Sequence, residues 1–135
     1  MAQRIRKSFG RQSMMETLGA SLRSVSAGEV VIEAPILPGS RQQQGFAHAA
    51  LTFALGDSAA GYSALTLLPE DQDVMTAEIK VNLLAPGAGD LLRATGRGIK
   101  PGRRLVVVSA EVHAVTGAEE KLIAVLQGTM MPVSP

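Results

Sequence analysis

The chain has no cysteine and no tryptophan, and aromatic residues make up only 3% of its 135 residues. Without cysteine, a disulfide framework, a thiolate nucleophile and a cysteine-ligated metal site are excluded. Two histidines, His48 and His113, are too few for a histidine-rich site, so we expect neither a metal nor another cofactor. Since 46% of the residues are hydrophobic, we expect a core of aliphatic side chains and methionine.

A strong charge of either sign is also absent, because 13 basic and 12 acidic residues leave a net charge of +1. This balance gives no electrostatic case for a nucleic-acid surface. The basic residues near the start, from Arg4 to Arg11, are interpreted as a solvated helix face. The same segment has no apolar secretory region, which favours a cytoplasmic protein over the alternative of a transit peptide.

The longest apolar stretch, Phe46–Leu68, has the length of a membrane-spanning helix. Asp57 lies at its middle, where a carboxylate costs about 2.5–3.5 kcal/mol on insertion scales. We therefore predict a buried helix, from about His48 to Leu68, and no membrane partner. Gly56 and Gly61 each weaken a helix by about 1 kcal/mol relative to Ala, so we expect another backbone to approach closely at both.

The order of the predicted elements indicates a single α+β domain over residues 1–135, with a helical segment at 1–18 and a core at 19–135. A capping box at Ser13–Glu16 predicts one or two short helical turns before Gly19. A hairpin and four long strands complete the pattern, over Ala20–Ser26, Glu29–Ile36, Val74–Leu84, Asp90–Lys100, Arg104–Val115 and Lys121–Met131. In the first long strand, alternation places Thr76 on the face opposite Met75 and Ile79.

A sheet wide enough to curl around the long helix accounts for this order of elements. The helix is apolar nearly all round, so it needs cover on almost every side, and one sheet covers only part of it. The remainder predicts at least a dimer.

Asp57 is the only formally charged residue between Arg41 and Glu70. We expect its carboxylate to be largely desolvated, and an unpaired buried charge costs several kcal/mol. Such groups persist because hydrogen bonds stabilise them or because chemistry uses them. The alternative to a catalytic role is a structural ion pair across a dimer interface.

Three segments carry a resemblance to a known family. They are GFAHAALTFALGDSAAGY (Gly45–Tyr62), MTAEIKVNLLAP (Met75–Pro86) and KPGRRLVVVSAEV (Lys100–Val112). With them the chain resembles the PaaI-like branch of the hotdog-fold acyl-CoA thioesterases. The resemblance implies a curved antiparallel sheet wrapped around one long central helix. It also implies a homodimer or a dimer of dimers, with active sites built from both chains at the interface.

The resemblance also implies roles for particular residues. Asp57 matches the catalytic acid, which acts as nucleophile or as general base for water. Ala49 matches the residue whose backbone N–H polarises the thioester carbonyl, and Thr76 matches a hydroxyl that helps to hold the attacking water. Gln42 falls where the family commonly has Asn, and His48 serves the loop architecture at least as much as the chemistry.

Two departures from the family pattern bear on these roles. The family usually has Gly at the positions of Ala49 and Ala50, so each added methyl narrows the carbonyl pocket. Gln42 is one methylene longer than Asn, and Gln43 or Gln44 can serve in its place.

Further residues are expected to contact the substrate, namely Phe46, Ala50, Gly102, Arg103 and Arg104. The two arginines follow a turn, and fixed guanidinium groups suit the phosphates of coenzyme A. The alternative is that they are solvated charges at the end of a strand.

The predicted reaction is hydrolysis of an acyl-CoA thioester to a free acid and CoA. A non-catalytic acyl-CoA-binding or regulatory module is the first alternative. The second is a hotdog enoyl-CoA hydratase, which needs a His–acid pair, whereas His48 and Asp57 are about 13 Å apart along one helix. The sequence does not specify the acyl group.

Overall fold

A computed structural model describes every residue of the chain, Met1–Pro135. Its helices are α1 (Ala2–Gly10), α2 (Ser13–Thr17) and α3 (Ala49–Leu65), with one 3₁₀ turn at Pro38–Ser40. The strands are β1 (Ser21–Ser26), β2 (Glu29–Pro35), β3 (Asp73–Leu83), β4 (Leu91–Lys100), β5 (Val106–Thr116) and β6 (Glu119–Val133).

All six strands form one antiparallel sheet in the order β1-β2-β4-β5-β6-β3. Helix α3 packs against β2, β3, β4, β5 and β6, so the sheet wraps around it as the sequence pattern predicts. Strand β3 pairs only with β6 and therefore forms one edge of the sheet. The α+β class predicted from the order of elements is confirmed.

Helix α3 begins after His48, which caps its N-terminus, and ends at Leu65, three residues earlier than the apolar pattern predicts. The hydroxyl of Thr66 donates to Ser63 O (2.7 Å) and accepts from the N–H of Gly28 (2.8 Å), which ties the helix end to the β1–β2 turn. No helix in the protein combines the length and the apolar character that crossing a membrane requires.

The prediction that backbone approaches both helix glycines is wrong. A Cβ at Gly56 would lie 2.8 Å from the Leu126 side chain, and one at Gly61 would meet nothing nearer than Met130 Cε at 3.8 Å. The close backbone approach to α3 comes instead from the sheet. A Cβ at Gly96 of β4 would lie 2.2 Å from the carbonyl group of Ala59. The glycine that allows the sheet to approach the helix closely is therefore Gly96 of β4 and not a glycine of α3.

A β-bulge in β3 overturns the predicted side-chain alternation of that strand. Thr76 pairs with Met130 and Glu78 with Thr129, which leaves Ala77 as an extra, unpaired residue. Because one additional residue reverses the alternation, Thr76 lies on the same face of the sheet as Ile79. Met75 points away from that face and is 63% exposed.

The two N-terminal helices pack onto the core through Ile5 and Met15, which are both buried. The predicted capping box is wrong, since Gln12 caps α2 and Ser13 is its first helical residue, with no side-chain capping bond. The guanidinium group of Arg4 donates to the carbonyl oxygens of Leu68 and Gln72. These two bonds hold the N-terminal segment against the stretch of chain that follows α3.

The face of the sheet that points away from α3 carries the ion pairs. Glu33 accepts from Arg93 Nε at 2.5 Å, and a second carboxylate, Glu120, also bonds to Arg93. The Glu33 hydrogen bond raises the pKa of Arg93 above its ordinary value. Because the residues flanking Glu33 and Arg93 in sequence are buried, these charges lie on the outer face and not beside Asp57.

Candidate active site

Asp57 lies in the middle of α3, and its carboxylate is hydrogen-bonded to a side chain of strand β3. The hydroxyl of Thr76 donates to Asp57 Oδ1 at 2.8 Å and also lies 3.3 Å from Met130 Sδ. Asp57 is half-buried in the single chain, so the extensive desolvation predicted from its apolar sequence neighbours is not present there. No basic side chain forms an ion pair with it. The carboxylate is therefore held by a hydroxyl and has no cation to neutralise it.

A pocket of about 240 Å³ opens beside this carboxylate. Its lining comprises Ser8, Gln12, Asp57, Ser58, Gly61, Tyr62, Asp73, Val74, Thr76 and Met130. Sequence reasoning missed the contribution of Ser8, Gln12 and Tyr62. The one available signal was that Tyr62 is the only tyrosine of the chain and follows Asp57 by five residues.

The N-terminus of α3 presents a free backbone donor. His48 Nδ1 accepts the N–H of Ala50 at 2.8 Å, and His48 O accepts the N–H of Leu51 at 2.9 Å. The N–H of Ala49 has no acceptor within the chain. It lies at the positive end of the helix dipole, where a developing negative charge is stabilised. The His48 ring thus accepts a backbone N–H in the first turn of the helix.

Ala49 borders a second cleft, of about 330 Å³, which is separate from the pocket beside Asp57. Phe46, His48 and all three glutamines of the preceding loop also line it. The side-chain oxygen of Gln42 accepts the N–H groups of Gln44 (2.5 Å) and Phe46 (3.3 Å). In this structure the Gln42 amide therefore organises the loop that carries Phe46.

Asp57 follows Ala49 by eight residues, which corresponds to about 12 Å along an α-helix. The carboxylate and the free N–H consequently line different cavities of the same chain. The two groups therefore do not meet within one chain. A small ligand bound at the Ala49 N–H lies too far from Asp57 of the same chain to contact its carboxylate.

Comparison with known proteins defines the family. The family model described as the thioesterase superfamily matches residues 44–121, which is more than half of the chain. The chain belongs to the thioesterase superfamily. The predicted class of enzyme, a thioester hydrolase, and the hotdog fold are both confirmed.

Individual relatives of this thioesterase agree with that assignment. The chain is 27% identical over 117 residues to 1,4-dihydroxy-2-naphthoyl-CoA hydrolase of Listeria monocytogenes, covering 87% of this chain and 93% of that protein. A thioesterase family protein from Silicibacter pomeroyi is 39% identical with a TM-score of 0.96, over 99% of this chain and 98% of that one.

The resemblance to PaaI proteins is confirmed as well. A variant of the phenylacetic acid degradation protein PaaI from Thermus thermophilus is 27% identical to this chain. The two superimpose with a TM-score of 0.77, over 89% of this chain and 98% of that one.

Among the remaining predicted substrate-contacting residues of the thioesterase, Gly102, Arg103 and Arg104 lie apart from both Asp57 and Ala49, whereas Ala50 directly follows Ala49 in α3. Gly102 and Arg103 are exposed in the β4–β5 connection and line a cavity with Leu67 and Gln72, beyond the C-terminus of α3. Arg104 is exposed and forms no ion pair within the chain. Ala50 is exposed, and its N–H is used by His48.

Proposed function

We propose that this thioesterase hydrolyses an acyl-CoA thioester, with Asp57 as the reacting carboxylate and the Ala49 N–H as the oxyanion donor. The observation that carries the proposal is the bond of Thr76 to Asp57 Oδ1, which orients a carboxylate that has no cationic partner. The 1,4-dihydroxy-2-naphthoyl-CoA hydrolase named above acts on a CoA thioester by its name, and it supports the same class of substrate here.

Two routes use these groups. With Asp57 as general base, its carboxylate takes a proton from water while the water oxygen bonds to the thioester carbon. The C–S bond then breaks, and the CoA thiolate leaves with the proton that Asp57 had accepted. With Asp57 as nucleophile, a carboxylate oxygen displaces the thiolate, and water hydrolyses the resulting anhydride. In both routes negative charge builds on the carbonyl oxygen, where a fixed N–H is worth about 2.7–4 kcal/mol.

Thr76 acts in this proposal by positioning Asp57. Its hydroxyl occupies Oδ1, which leaves Oδ2 to meet the water or the thioester carbon. Gln42 orders the loop beside the oxyanion site through its bonds to Gln44 and Phe46. His48 fixes the first turn of α3 through the Ala50 N–H, which leaves the Ala49 N–H free at the border of the cleft.

The complete site requires two copies of the chain, with Ala49 from one and Asp57 from the other. The separation of about 12 Å within one helix supports this arrangement. Exposed apolar side chains lie near both halves, on the edge strand and on the free side of α3. They are Phe53 (39% exposed), Met75 (63%) and Leu83 (57%). A dimer covers them, and a dimer of dimers is compatible with the same contact.

In this proposal the exposed guanidinium groups of Arg103 and Arg104 bind the CoA part of the substrate, and Gly102 lies in the turn before them. These arginines are free of ion pairs in the chain and suit phosphate oxygens. Phe46 lines the Ala49 cleft, where it contacts the substrate, and Ala50 borders the same helix end. A cytoplasmic location stays a prediction from the sequence.

The enoyl-CoA hydratase alternative needs a His–acid pair. Within one chain Asp57 lies far from His48 along the helix, and in a shared site only the Nε2 of His48 would be left for proton transfer, because Nδ1 accepts the N–H of Ala50. The test is thiol release from a panel of acyl-CoAs with short, long and aromatic acyl groups, run beside hydration of an enoyl-CoA. Thiol release that Asp57→Asn abolishes supports the proposal. Tight binding without thiol release identifies a binding module, and hydration without thiol release identifies a hydratase.

A further inference from the structure

The pocket beside Asp57 contains a hydrogen-bonded group that the proposed reaction does not use. Gln12 Nε2 donates to the hydroxyl of Tyr62 at 2.8 Å, and Ser8 Oγ lies 3.1 Å from the same oxygen. We call these three residues the Tyr62 network. Tyr62 is only 6% exposed. It follows Asp57 by five residues, or about 7.5 Å of helix.

Gly61 keeps the space between Asp57 and the Tyr62 network open. It is a lining residue of the pocket, one helical turn after Asp57. A Cβ there would make only ordinary contacts with Met130, at 3.8 and 3.9 Å, so packing does not demand a glycine. A glycine inside a helix costs about 1 kcal/mol relative to alanine. Because Gly61 has no side chain, the pocket has more free volume at this position.

The Tyr62 network has hydrogen-bonding capacity left for a ligand. The side-chain oxygen of Gln12 accepts no hydrogen bond within the chain. The protein has no buried side-chain oxygen or nitrogen without a hydrogen-bond partner, so this unpaired oxygen is not buried. It is therefore reachable from the pocket or from solvent. A hydroxyl group on the substrate can donate to this oxygen, whereas a methyl group at the same place leaves the oxygen without a hydrogen-bond partner.

We propose that this pocket receives the far end of the acyl group and that the Tyr62 network selects acyl groups with a hydrogen-bonding substituent there. The proposal rests on the proposed thioesterase function. The competing explanation is that the network only holds the N-terminal helices against α3. The two explanations differ in whether removing the network changes the choice between substrates.

The test uses Tyr62→Phe, which removes the hydroxyl and keeps the ring that packs against Phe9 with centroids 6.3 Å apart. Gln12→Met is a second variant that removes the amide at similar size. The probes are 3-hydroxybenzoyl-CoA and 3-methylbenzoyl-CoA, which differ by a hydroxyl in place of a methyl. Thr129→Val is the control, because it removes a hydroxyl whose bond to Glu78 lies away from the pocket.

We expect the ratio of kcat/KM for the hydroxyl substrate over the methyl substrate to fall roughly 3- to 10-fold in both variants. The control should keep the wild-type ratio.

A lower Tm with an unchanged ratio in both variants overturns the pocket proposal and leaves the thioesterase function standing. The ratio of Kd values, measured in an Asp57→Asn background, reports on the pocket independently of catalysis. If wild-type protein hydrolyses neither probe nor any acyl-CoA of the panel, the proposed function fails, and an unchanged Kd ratio then overturns the pocket proposal separately.

Discussion

Thr76 Oγ1 donates to Asp57 Oδ1 at 2.8 Å, and this bond joins the edge strand β3 to the middle of helix α3. The bulge at Ala77 turns Thr76 towards the helix, because the extra residue changes which side chains of β3 face α3. Bulges are frequent beside active sites, where they re-aim a side chain. The bond makes the orientation of the Asp57 carboxylate dependent on a strand at the edge of the sheet.

Asp57→Asn keeps the volume of the side chain and removes both the nucleophile and the base. We expect thiol release to fall by about 10²–10⁴-fold, the range typical of losing a general base. The Tm should be unchanged or higher, since Asp57 has no ion-pair partner to leave unpaired. Turnover and thermal unfolding should be measured on the same preparation. A variant that unfolds earlier but keeps its rate per folded molecule would contradict the catalytic role.

Thr76→Val removes the hydroxyl and keeps the β-branched shape that suits a strand. We expect kcat to fall roughly 3- to 10-fold through the lost orientation of Asp57, with little change in KM. Thr76→Ser is the matched control, because it restores the hydroxyl and should recover most of the rate. Equal rates for the valine and serine variants would show that the bond to Asp57 does not matter for turnover.

Ala49→Pro deletes the one free N–H at the start of α3. Proline is tolerated at the first helical position, and His48 already has the extended φ and ψ of −66° and 143° that proline requires before it. We expect folded protein with turnover reduced about 10²–10³-fold, as for other lost oxyanion donors. Ala49→Gly is the control, since it keeps the N–H, and its turnover should stay near that of the wild type.

Mixing the Ala49→Pro and Asp57→Asn variants after unfolding and refolding tests whether the site is shared between chains. In a mixed dimer one site combines an intact Ala49 N–H with an intact Asp57 from the partner, while the other site has both lesions. Random pairing should therefore restore about one quarter of wild-type turnover. No recovery in a mixture shown to contain mixed dimers would place the whole site within one chain.

Light scattering at micromolar concentration should give the mass of two or four chains. The free side of α3 and the unpaired edge of β3 both expose apolar surface that association removes from water. Leu83→Lys places a charge on that edge and should weaken association and turnover together. A stable monomer with full thioesterase activity would exclude the shared site.

Gly61→Ala should raise the free energy of unfolding by about 0.5–1 kcal/mol, because alanine is the better helix former and the site has room for a methyl. The same methyl enters the pocket beside Asp57, so kcat/KM should fall more for bulky acyl groups than for acetyl-CoA. Gly96→Ala is the contrasting variant. A Cβ there would lie 2.2 Å from the Ala59 carbonyl group, and denaturant unfolding should show a large loss of stability.

The long apolar segment around Asp57 and the alternating strands after it are readable in the sequence, because each depends on a local period of side chains. The predicted strand from Asp90 to Lys100 and the strand β4 agree to within one residue at each end. The motifs around His48 and Asp57 likewise indicate the family, which the comparisons confirm.

Only the tertiary structure decided how these residues meet. Simple alternation assumes that every residue of a strand pairs with one residue of its neighbour. It therefore could not predict the bulge at Ala77, which determines the face of the sheet on which Thr76 lies. Ser8 and Gln12 lie about fifty residues before Tyr62, and no local pattern signals their contact. The sequence by itself determined the helix and the strands, because these follow from periods of 3.6 and two residues. It also showed that Asp57 has no charged neighbour along the chain, because this depends on the order of residues alone. Long-range packing decided what surrounds the carboxylate, because it depends on which distant segments fit together in space.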